Sequence, residues 1–514
     1  MDLFSAWVNQ ACDFAILVAM RTNRFLFALA FAALLLQSQQ AEQSILISGA
    51  RIADGTGSAL LDADVRVVGD KIAEIGKLAA KPGERVIDGT GKVLSPGFID
   101  LHNHSTGVDK VPLAPTQVSQ GITTALLGQD GSSPWPIKDW LDARRKDPPA
   151  MNIELMVGHA TVRREVMGND YKRNATPEEM ASMAMLVDRG MEEGAVGLSS
   201  GLEYEVGSYS SPQEMTLVAR AAGGRNGLYL SHVRDEGDSA MDSFEEMIRI
   251  GEPGRLSVGI SHIKLGTEKV WGKAREVVDL INSARARGVD IQADQYPYDA
   301  WSSTITVLVL DKKYDDPVSV GKGLADVGGA QNITITRCEK HRDFEGKTLE
   351  AVAKANHVTP VAMFSRIVKD GGASIICKAM RDDDIKTFFQ QSWVAVSSDG
   401  GIGMQHPRGA GTFPRVLGVY VRERKWVTLE EAIRKMTSLP ASRLGLKDRG
   451  KIKTGAFADL VLFDPNTVKD NSTFAEPFKT ATGIEKVFVN GQIVWEDGKS
   501  TGAKPGRVLE RPLN

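Results

Sequence analysis

The sequence predicts an α/β protein built on a (β/α)8 barrel, with a small β-sandwich domain formed from both ends of the chain. Short apolar strands alternate with longer amphipathic stretches between residues 96 and 449, which is typical of repeated βα units. Eight candidate strands occur there, the number of a closed barrel. They end near His102, Gly128, His159, Ser199, His232, His262, Asp294 and Ser398. Short β-type runs fill residues 44–95 and return in residues 450–514, which predicts one sandwich from two chain segments.

Helix starts in the barrel region follow a capping pattern. Thr176, Ser211 and Thr428 each stand three residues before a glutamate. In such a pair the hydroxyl accepts a hydrogen bond from a free backbone amide of the first helical turn. Pro177 and Pro212 occupy first helical positions, where the missing N–H of proline removes no helical bond. These signals support helices between the predicted strands.

The interval between the last two predicted strands is much longer than one helix requires. It runs from Asp294 to Trp393, so we expect an inserted subdomain or lid at about residues 304–392 that helps to shape the substrate pocket. The insertion contains Cys338 and Cys377. The sequence leaves two alternatives for them, a disulfide in an oxidising compartment or two buried thiols.

The N-terminal residues 1–43 predict a secretory leader. Arg21 and Arg24 precede an apolar run over residues 25–36, which then gives way to polar residues. This run is shorter than the roughly 20 residues that span a bilayer. We therefore expect export, periplasmic or secreted, without a stable membrane anchor after cleavage; an uncleaved anchor or a buried N-terminal helix are the alternatives. Met20 would serve as the first residue of such a leader.

The amino-acid composition indicates which class of molecule the protein binds. Hydrophobic residues make up 42% of the chain, charged residues 25%, and the net charge is -3, as in ordinary globular proteins. Lysine and arginine are scattered rather than clustered, so the basic surface of a nucleic-acid-binding protein is not expected. A small-molecule substrate fits better.

Metal-ligand side chains follow the ends of the predicted strands, where barrel active sites lie. His102 and His104 are two residues apart, so both project from the same face of the first strand and can grip one ion. His232 and His262 close the fifth and sixth strands, and Asp399 follows the eighth. A single histidine at a strand end is more often structural than a ligand. Together, in this order, they favour a metal site.

Several motifs resemble those of the N-acyl-D-amino-acid deacylases, or D-aminoacylases, of the amidohydrolase superfamily. They are PGFIDLHNH at 96–104, SHVRDE at 231–236, ISHIK at 260–264, SDG at 398–400, HPRG at 406–409 and GTFPRVLG at 411–418. The resemblance runs from about Ile45 to the C-terminus. It implies a barrel with a small β-sandwich and a site for one or two zinc ions. The implied reaction is hydrolysis of the amide bond of N-acyl-D-amino acids, or of dipeptides with a C-terminal D-residue.

The resemblance also implies a ligand set. The family's metal ligands map onto His102, His104, His232, His262 and Asp399. At one position the chain departs from the family, which has a cysteine in an Asn-Cys-Gly turn after the second strand. Here the turn reads Gln129-Asp130-Gly131, so we expect Asp130 to be the shared ligand. A carboxylate can bridge two ions, and as a donor harder than thiolate it also admits other divalent metals.

Roles in catalysis and substrate binding follow from the same resemblance. Asp399 is expected to act as general acid and base, because such a group takes a proton from water and returns it to the leaving nitrogen. The α-carboxylate of the substrate requires cationic and hydroxyl donors. The expected substrate-binding residues are Lys264, Tyr296, Ser303 and Arg408. The assignment of Ser303 is the weakest of these, since the segment before it is one residue longer than the family pattern.

Two other functions remain open from the residues alone. Cyclic-amide hydrolases of the dihydropyrimidinase or dihydroorotase type share the barrel, but they usually bridge their metals with a modified lysine, and Asp130 argues against them. A metal-free binding or scaffold protein on the same fold is the other alternative. His159, at the end of the third strand, is a candidate for a position just outside the metal ligands; the alternative is a structural, hydrogen-bonded histidine.

Overall fold

The computed structural model describes residues 44–252 and 256–511. The predicted leader at residues 1–43 lies outside the described residues. Within the described part of the chain, no helix combines the length and the apolar character needed to cross a membrane.

Eight parallel strands form the barrel, which confirms the predicted fold class. The third strand is interrupted at Met156; its first half pairs with the second strand and its second half with the fourth. A parallel bridge between Asn103 and Gly400 joins the ends of the first and eighth strands and closes the barrel. The barrel strands, first to eighth, are Phe98–Asp100, Ile122–Leu127, Asn152–Leu155 with Val157–Gly158, Gly197–Gly201, Leu228–His232, Ser257–Ile260, Ile291–Gln295 and Val394–Val396.

Helices cover the outside of the barrel. The longer ones bury apolar faces against the strands, and all three predicted hydroxyl caps are present. Only Thr176 forms a complete capping box, because the side chain of Glu179 returns to its backbone amide. Beside Ser211, the side chain of Glu214 turns into the protein instead. The barrel helices are Pro115–Val118, Ile137–Lys146, His159–Met167, Pro177–Glu192, Pro212–Gly224, Ala240–Gly251, Ala274–Ala286, Asp382–Phe389, Arg408–Arg415, Leu429–Met436 and Ser438–Leu444.

Both chain ends contribute to a two-sheet β-domain. The strand Leu460–Phe463 pairs antiparallel with Val93–Pro96, which joins the C-terminal segment to the N-terminal one. Apolar residues of both segments, such as Ile52 and Phe488, share one core. One sheet contains Lys71–Gly76, Asp64–Val68, Ser44–Ser48 and Arg85–Asp88, and the other contains Lys499–Ser500, Gln492–Glu496, Ile484–Val489, Leu460–Phe463, Val93–Pro96, Arg51–Ile52 and Leu61–Asp62.

A subdomain with its own core lies between the seventh and eighth barrel strands. Its three-stranded antiparallel sheet has the order Trp301–Thr304, Ser374–Cys377, Ile333–Arg337. The helices Pro317–Asp326, Leu349–Ala355 and Pro360–Lys369 cover this sheet. The later helix Asp382–Phe389 packs instead into the barrel core. Cys338 and Cys377 are buried in the subdomain as free thiols, so of the two alternatives the structure shows the unpaired one.

Candidate metal centre

Four side chains from four different strands meet at the carboxyl-terminal end of the barrel. The ligand atoms of His102, Asp130, His262 and Asp399 all lie within 4.8 Å of one another. The imidazole of His104 joins them, with its Nε2 3.3 Å from Nε2 of His102 and 3.1 Å from Oδ1 of Asp399. The first strand ends at Asp100, and the segment that follows it places both histidines of the pair at one site.

Asp130 faces the imidazoles with both of its carboxylate oxygens. Its Oδ1 lies 3.4 Å from Nε2 of His102 and 3.7 Å from Nε2 of His262, while Oδ2 lies 3.6 Å from Nε2 of His104. Oδ1 is buried and has no hydrogen-bond partner among the described residues. Buried carboxylate oxygens are normally paired, so an oxygen that faces imidazoles without a hydrogen bond suits coordination to a cation.

The turn that carries Asp130 has a left-handed backbone. Asp130 itself has φ of 55°, a region that aspartate tolerates better than most residues. Gly128, two residues earlier, has φ of 78°, and a Cβ there would lie 2.7 Å from the carbonyl oxygen of Met156. The glycine thus allows the chain to turn tightly after the second strand and to direct Asp130 into the centre.

His232 lies next to His262 and forms a second group with it. The Nδ1 of His232 is 3.2 Å from Nε2 of His262, and these two histidines with Glu236 satisfy the geometry of a metal-binding trio. Nε2 of His232 is 2.7 Å from Oε2 of Glu203, and Nδ1 is 3.1 Å from the hydroxyl of Tyr204. The structure therefore brings together all six predicted ligands, with three further polar residues around them.

The charges at the centre are strongly coupled. Burial would raise the pKa of Asp399, but the guanidinium of Arg408, 2.9 Å away, and His262 outweigh it and hold that pKa well below its ordinary value. Burial would lower the pKa of His102, yet Asp130 and Asp399 raise it to about 9. The buried carboxylates thus stabilise positive charge at this site, and a divalent cation would supply that charge.

Hydrogen bonds behind the centre fix the strand ends. Asp100 accepts bonds from the backbone amide of His102 and from the amide and hydroxyl of Ser398, which ties the first strand to the eighth. Asp294 accepts from the backbone amide of His262 at 3.0 Å. Such supporting groups orient the residues that bind a metal or substrate.

The predicted substrate-binding residues surround the same space. Nζ of Lys264 lies 2.5 Å from Oε1 of Glu236 and 2.7 Å from Nδ1 of His262. The guanidinium of Arg408 lies 4.8 Å from the ring centroid of the buried Tyr296. The Nε of Arg408 is buried and has no hydrogen-bond partner among the described residues. This N–H is therefore a donor that a bound anion could use. Ser303 lies on the first strand of the subdomain and faces the same cavity as Arg408.

With this geometry in place, comparison with known proteins identifies the family. Residues 85–495 match the amidohydrolase family. The chain belongs to the amidohydrolase family. It is 35% identical to D-aminoacylase from Alcaligenes xylosoxydans xylosoxydans, over 92% of this chain and 99% of that one. It is 36% identical to N-acyl-D-aspartate deacylase from the same organism, over 92% of this chain and 96% of that one.

A solved structure and a more distant relative agree with the assignment of this chain to the amidohydrolase family. A crystal structure of N-acyl-D-glutamate deacylase from Bordetella bronchiseptica, complexed with zinc and a phosphonate inhibitor, superposes with a TM-score of 0.83. The two proteins are 33% identical, over 91% of this chain and all of that one. A dihydroorotase from Bacillus licheniformis is 23% identical over 85% of this chain. The amidohydrolase therefore stands much nearer to the deacylases than to the cyclic-amide hydrolases.

Two cavities of this amidohydrolase open from the metal centre. One extends past Lys264 and His262 into the subdomain. The other extends past His104 and Asp130 toward polar residues of the subdomain sheet. Both cavities share a boundary formed by Tyr204, Ser302, Ser303, Asp399 and Arg408. A substrate that spans this boundary has one part on each side of Asp399.

Three polar residues of the centre are not among the predicted site residues, and His159 takes the structural alternative. Glu203 and Tyr204 follow the fourth strand, and Glu236 ends the quoted SHVRDE motif, so strand-end position was the available signal. His159 is not beside the cluster: it begins a helix, and its Nε2 lies 2.8 Å from Oε1 of Glu214. Because Glu214 also holds the buried Arg163, His159 belongs to a separate ion-pair group.

Proposed function

We propose that this amidohydrolase hydrolyses the amide bond of N-acyl-D-amino acids, or of dipeptides with a C-terminal D-residue, with a divalent metal. The observation that carries this proposal is the cluster His102, Asp130, His262 and Asp399 beside a guanidinium with a free donor. The D-aminoacylase and the N-acyl-D-glutamate and N-acyl-D-aspartate deacylases to which the chain is similar support the same reaction.

Zinc, as one or two ions, fits the donor set. Imidazole nitrogens and carboxylate oxygens are zinc ligands, and the unpaired Oδ1 of Asp130 faces two of the imidazoles. The residues that would hold the metal are His102, His104, Asp130, His232, His262 and Asp399. When bound, zinc lowers the pKa of water and polarises a carbonyl group.

The chain's own residues supply proton transfer. Asp399 is ionised, since Arg408 and the histidines hold its pKa low, and it is placed to accept a proton from the attacking water. As the carbon–nitrogen bond breaks, the same carboxyl group returns that proton to the amide nitrogen, which leaves as an amine. Burial raises the pKa of Tyr204, so its hydroxyl stays protonated and can donate to the carbonyl oxygen.

The α-carboxylate of the substrate requires donors at a fixed distance from the scissile bond. Arg408 provides them, because one side of its guanidinium pairs with Asp399 while Nε has no partner among the described residues. Lys264 and Ser303 line the cavity beside the centre, and the buried ring of Tyr296 packs near Lys264 and Arg408. One cation therefore orients both the general base and the substrate.

Amine release from paired N-acetyl-D- and N-acetyl-L-amino acids tests this proposal. We expect turnover of the D-forms, loss of activity on chelation, and recovery when zinc is returned. Asp399→Asn should lower kcat by about 10²–10⁴-fold, the usual size of general acid–base catalysis. Asp383→Asn, at a position that is 82% exposed, is the matched control and should leave kcat unchanged. Equal turnover of both enantiomers would contradict the proposed specificity for D-amino acids. Full activity without metal would contradict the proposed metal-dependent reaction.

We also propose that the chain is exported. The support is the sequence pattern of Arg21 and Arg24 before the apolar residues 25–36. Expression of the full chain in a bacterium should place the protein outside the cytoplasm with a trimmed N-terminus, while a chain that starts at residue 44 should stay inside. Retention of an untrimmed full chain in the cytoplasm would contradict export.

A further inference from the structure

The lining of the cavity that enters the subdomain indicates which substrate side chains bind, which sequence identity does not show. The chain is 35% identical to D-aminoacylase, 35% to N-acyl-D-glutamate deacylase and 36% to N-acyl-D-aspartate deacylase, so these values do not separate neutral from acidic substrates. We propose that this cavity selects N-acyl-D-amino acids with apolar side chains and rejects those with acidic side chains. The inference rests on the proposed deacylase function and adds the substrate class.

One stretch of the cavity wall is apolar. Four consecutive residues, Val307 to Leu310, line it together with Val327 and Trp301. They come from the turn Ile305–Leu308 and its continuation, at the start of the subdomain. Val307 is half-buried and lies outside the apolar core of the subdomain, so its side chain contributes to the cavity rather than to folding. An aliphatic side chain gains from burial against such a wall.

The cations that line this cavity already have carboxylate partners. Nζ of Lys264 lies 2.5 Å from Glu236, and Nη1 of Arg408 lies 2.9 Å from Asp399. In the proposed function, the unpartnered Nε of Arg408 is the donor for the α-carboxylate that every N-acyl-amino acid carries. An acidic side chain brings a second carboxylate, which requires a second cation.

Among the described residues that line the cavity, Lys322 is the remaining lysine or arginine, and its surroundings make it a poor partner for an acidic side chain. It is 60% exposed and pairs with Asp326 at 2.5 Å and Asp238 at 3.1 Å. Two further carboxylates, of Asp235 and Asp311, line the same cavity. A substrate carboxylate placed there would meet apolar walls and like charges, both of which oppose binding.

Specificity constants for three substrates test the inference on the zinc-loaded, full-length enzyme. N-acetyl-D-leucine should exceed N-acetyl-D-glutamate in kcat/KM by at least about 100-fold, because the acidic side chain lacks a partner. N-acetyl-D-glutamine has nearly the shape of glutamate without its charge and should fall between them. If glutamate is turned over within about threefold of leucine, which is smaller than the effect of one methylene group, the inference is wrong.

A pair of charge-introducing variants locates the effect. Val307→Lys places a cation on the apolar wall and should raise the glutamate-to-leucine ratio by about tenfold or more, as expected for one new ion pair in a partly buried site. Val318→Lys adds the same charge to the same subdomain at a position that is 79% exposed and does not line the cavity, so the ratio should stay unchanged. Thermal unfolding confirms that both variants are folded.

Two other outcomes separate this inference from the function on which it rests. If Lys322→Met lowers the turnover of N-acetyl-D-glutamate but not of the other two substrates, then Lys322 binds the acidic side chain. That result would overturn the proposed selectivity. Turnover of none of the three D-substrates would overturn the deacylase function itself. Turnover of all three at similar rates would leave the function standing and remove only the selectivity.

Discussion

Glu154 on the third barrel strand makes folding stability depend on pH. Its carboxyl group is fully buried, and neither oxygen has a hydrogen-bond partner among the described residues. Burial raises its pKa from 4.5 to about 8, although Arg511 and Arg449 oppose the shift. The folded protein therefore keeps a proton that the unfolded chain loses. Stability from this group is complete below pH 4.5 and is lost as the pH rises through about 8.

The size of the effect follows from that shift. A difference of 8 minus 4.5 in pKa corresponds to roughly 5 kcal/mol at 1.36 kcal/mol per unit. We expect Glu154→Gln, which has no titrating group there, to abolish this part of the pH dependence. Urea unfolding of both proteins between pH 5 and 8.5 measures it. The free energy of unfolding of the wild type, minus that of the variant, should fall by roughly 1.4 kcal/mol per pH unit up to about pH 8 and then level off. A constant difference over this range would refute the argument, because other titrating groups cancel between the two proteins.

Three further predictions concern other buried charges. Arg408→Lys should raise KM for N-acetyl-D-leucine by about tenfold or more in steady-state kinetics. A guanidinium can pair with Asp399 and bind the substrate carboxylate at the same time through its planar set of donors, whereas the single ammonium group of lysine cannot. Glu214→Gln leaves Arg163 buried without its carboxylate and should lower the free energy of unfolding in urea by about 3–5 kcal/mol, with no change expected at an exposed control such as Glu245→Gln. Burial lowers the pKa of Lys435 to about 7, so the unfolded chain binds the extra proton above that pH. Stability of the wild type relative to Lys435→Met should therefore rise between pH 7 and 10 in urea titrations.

The barrel and the histidine pair could be predicted because they depend on local periodicity. Residues two apart in an extended segment share a face, which predicts that His102 and His104 act together. The alternation of apolar strands with amphipathic segments indicated eight βα units, and the family motifs pointed to Asp130 as the residue in place of a cysteine. Caps such as Thr176 follow from residues only three positions apart.

Groups whose positions depend on distant parts of the chain could not be predicted in this way. Glu203 and Glu236 reach the centre from loops whose paths are set only when the barrel closes. His159 ends beside Glu214, 55 positions away in the chain, because a strand gives way to a helix at that point. Strand-end position alone does not show which way such a side chain turns.

The sequence by itself determined the fold class, the family and the residue types of the metal centre, since strand periodicity and short motifs act over a few positions. The tertiary structure decided which charges pair and what the substrate meets. The pairing of Lys264 with Glu236, 28 positions away in the chain, joins two barrel loops, and the apolar wall at Val307 lies where the subdomain meets those loops. Such contacts depend on how the closed barrel arranges segments far apart in sequence, and burial there sets the strength of each charge interaction.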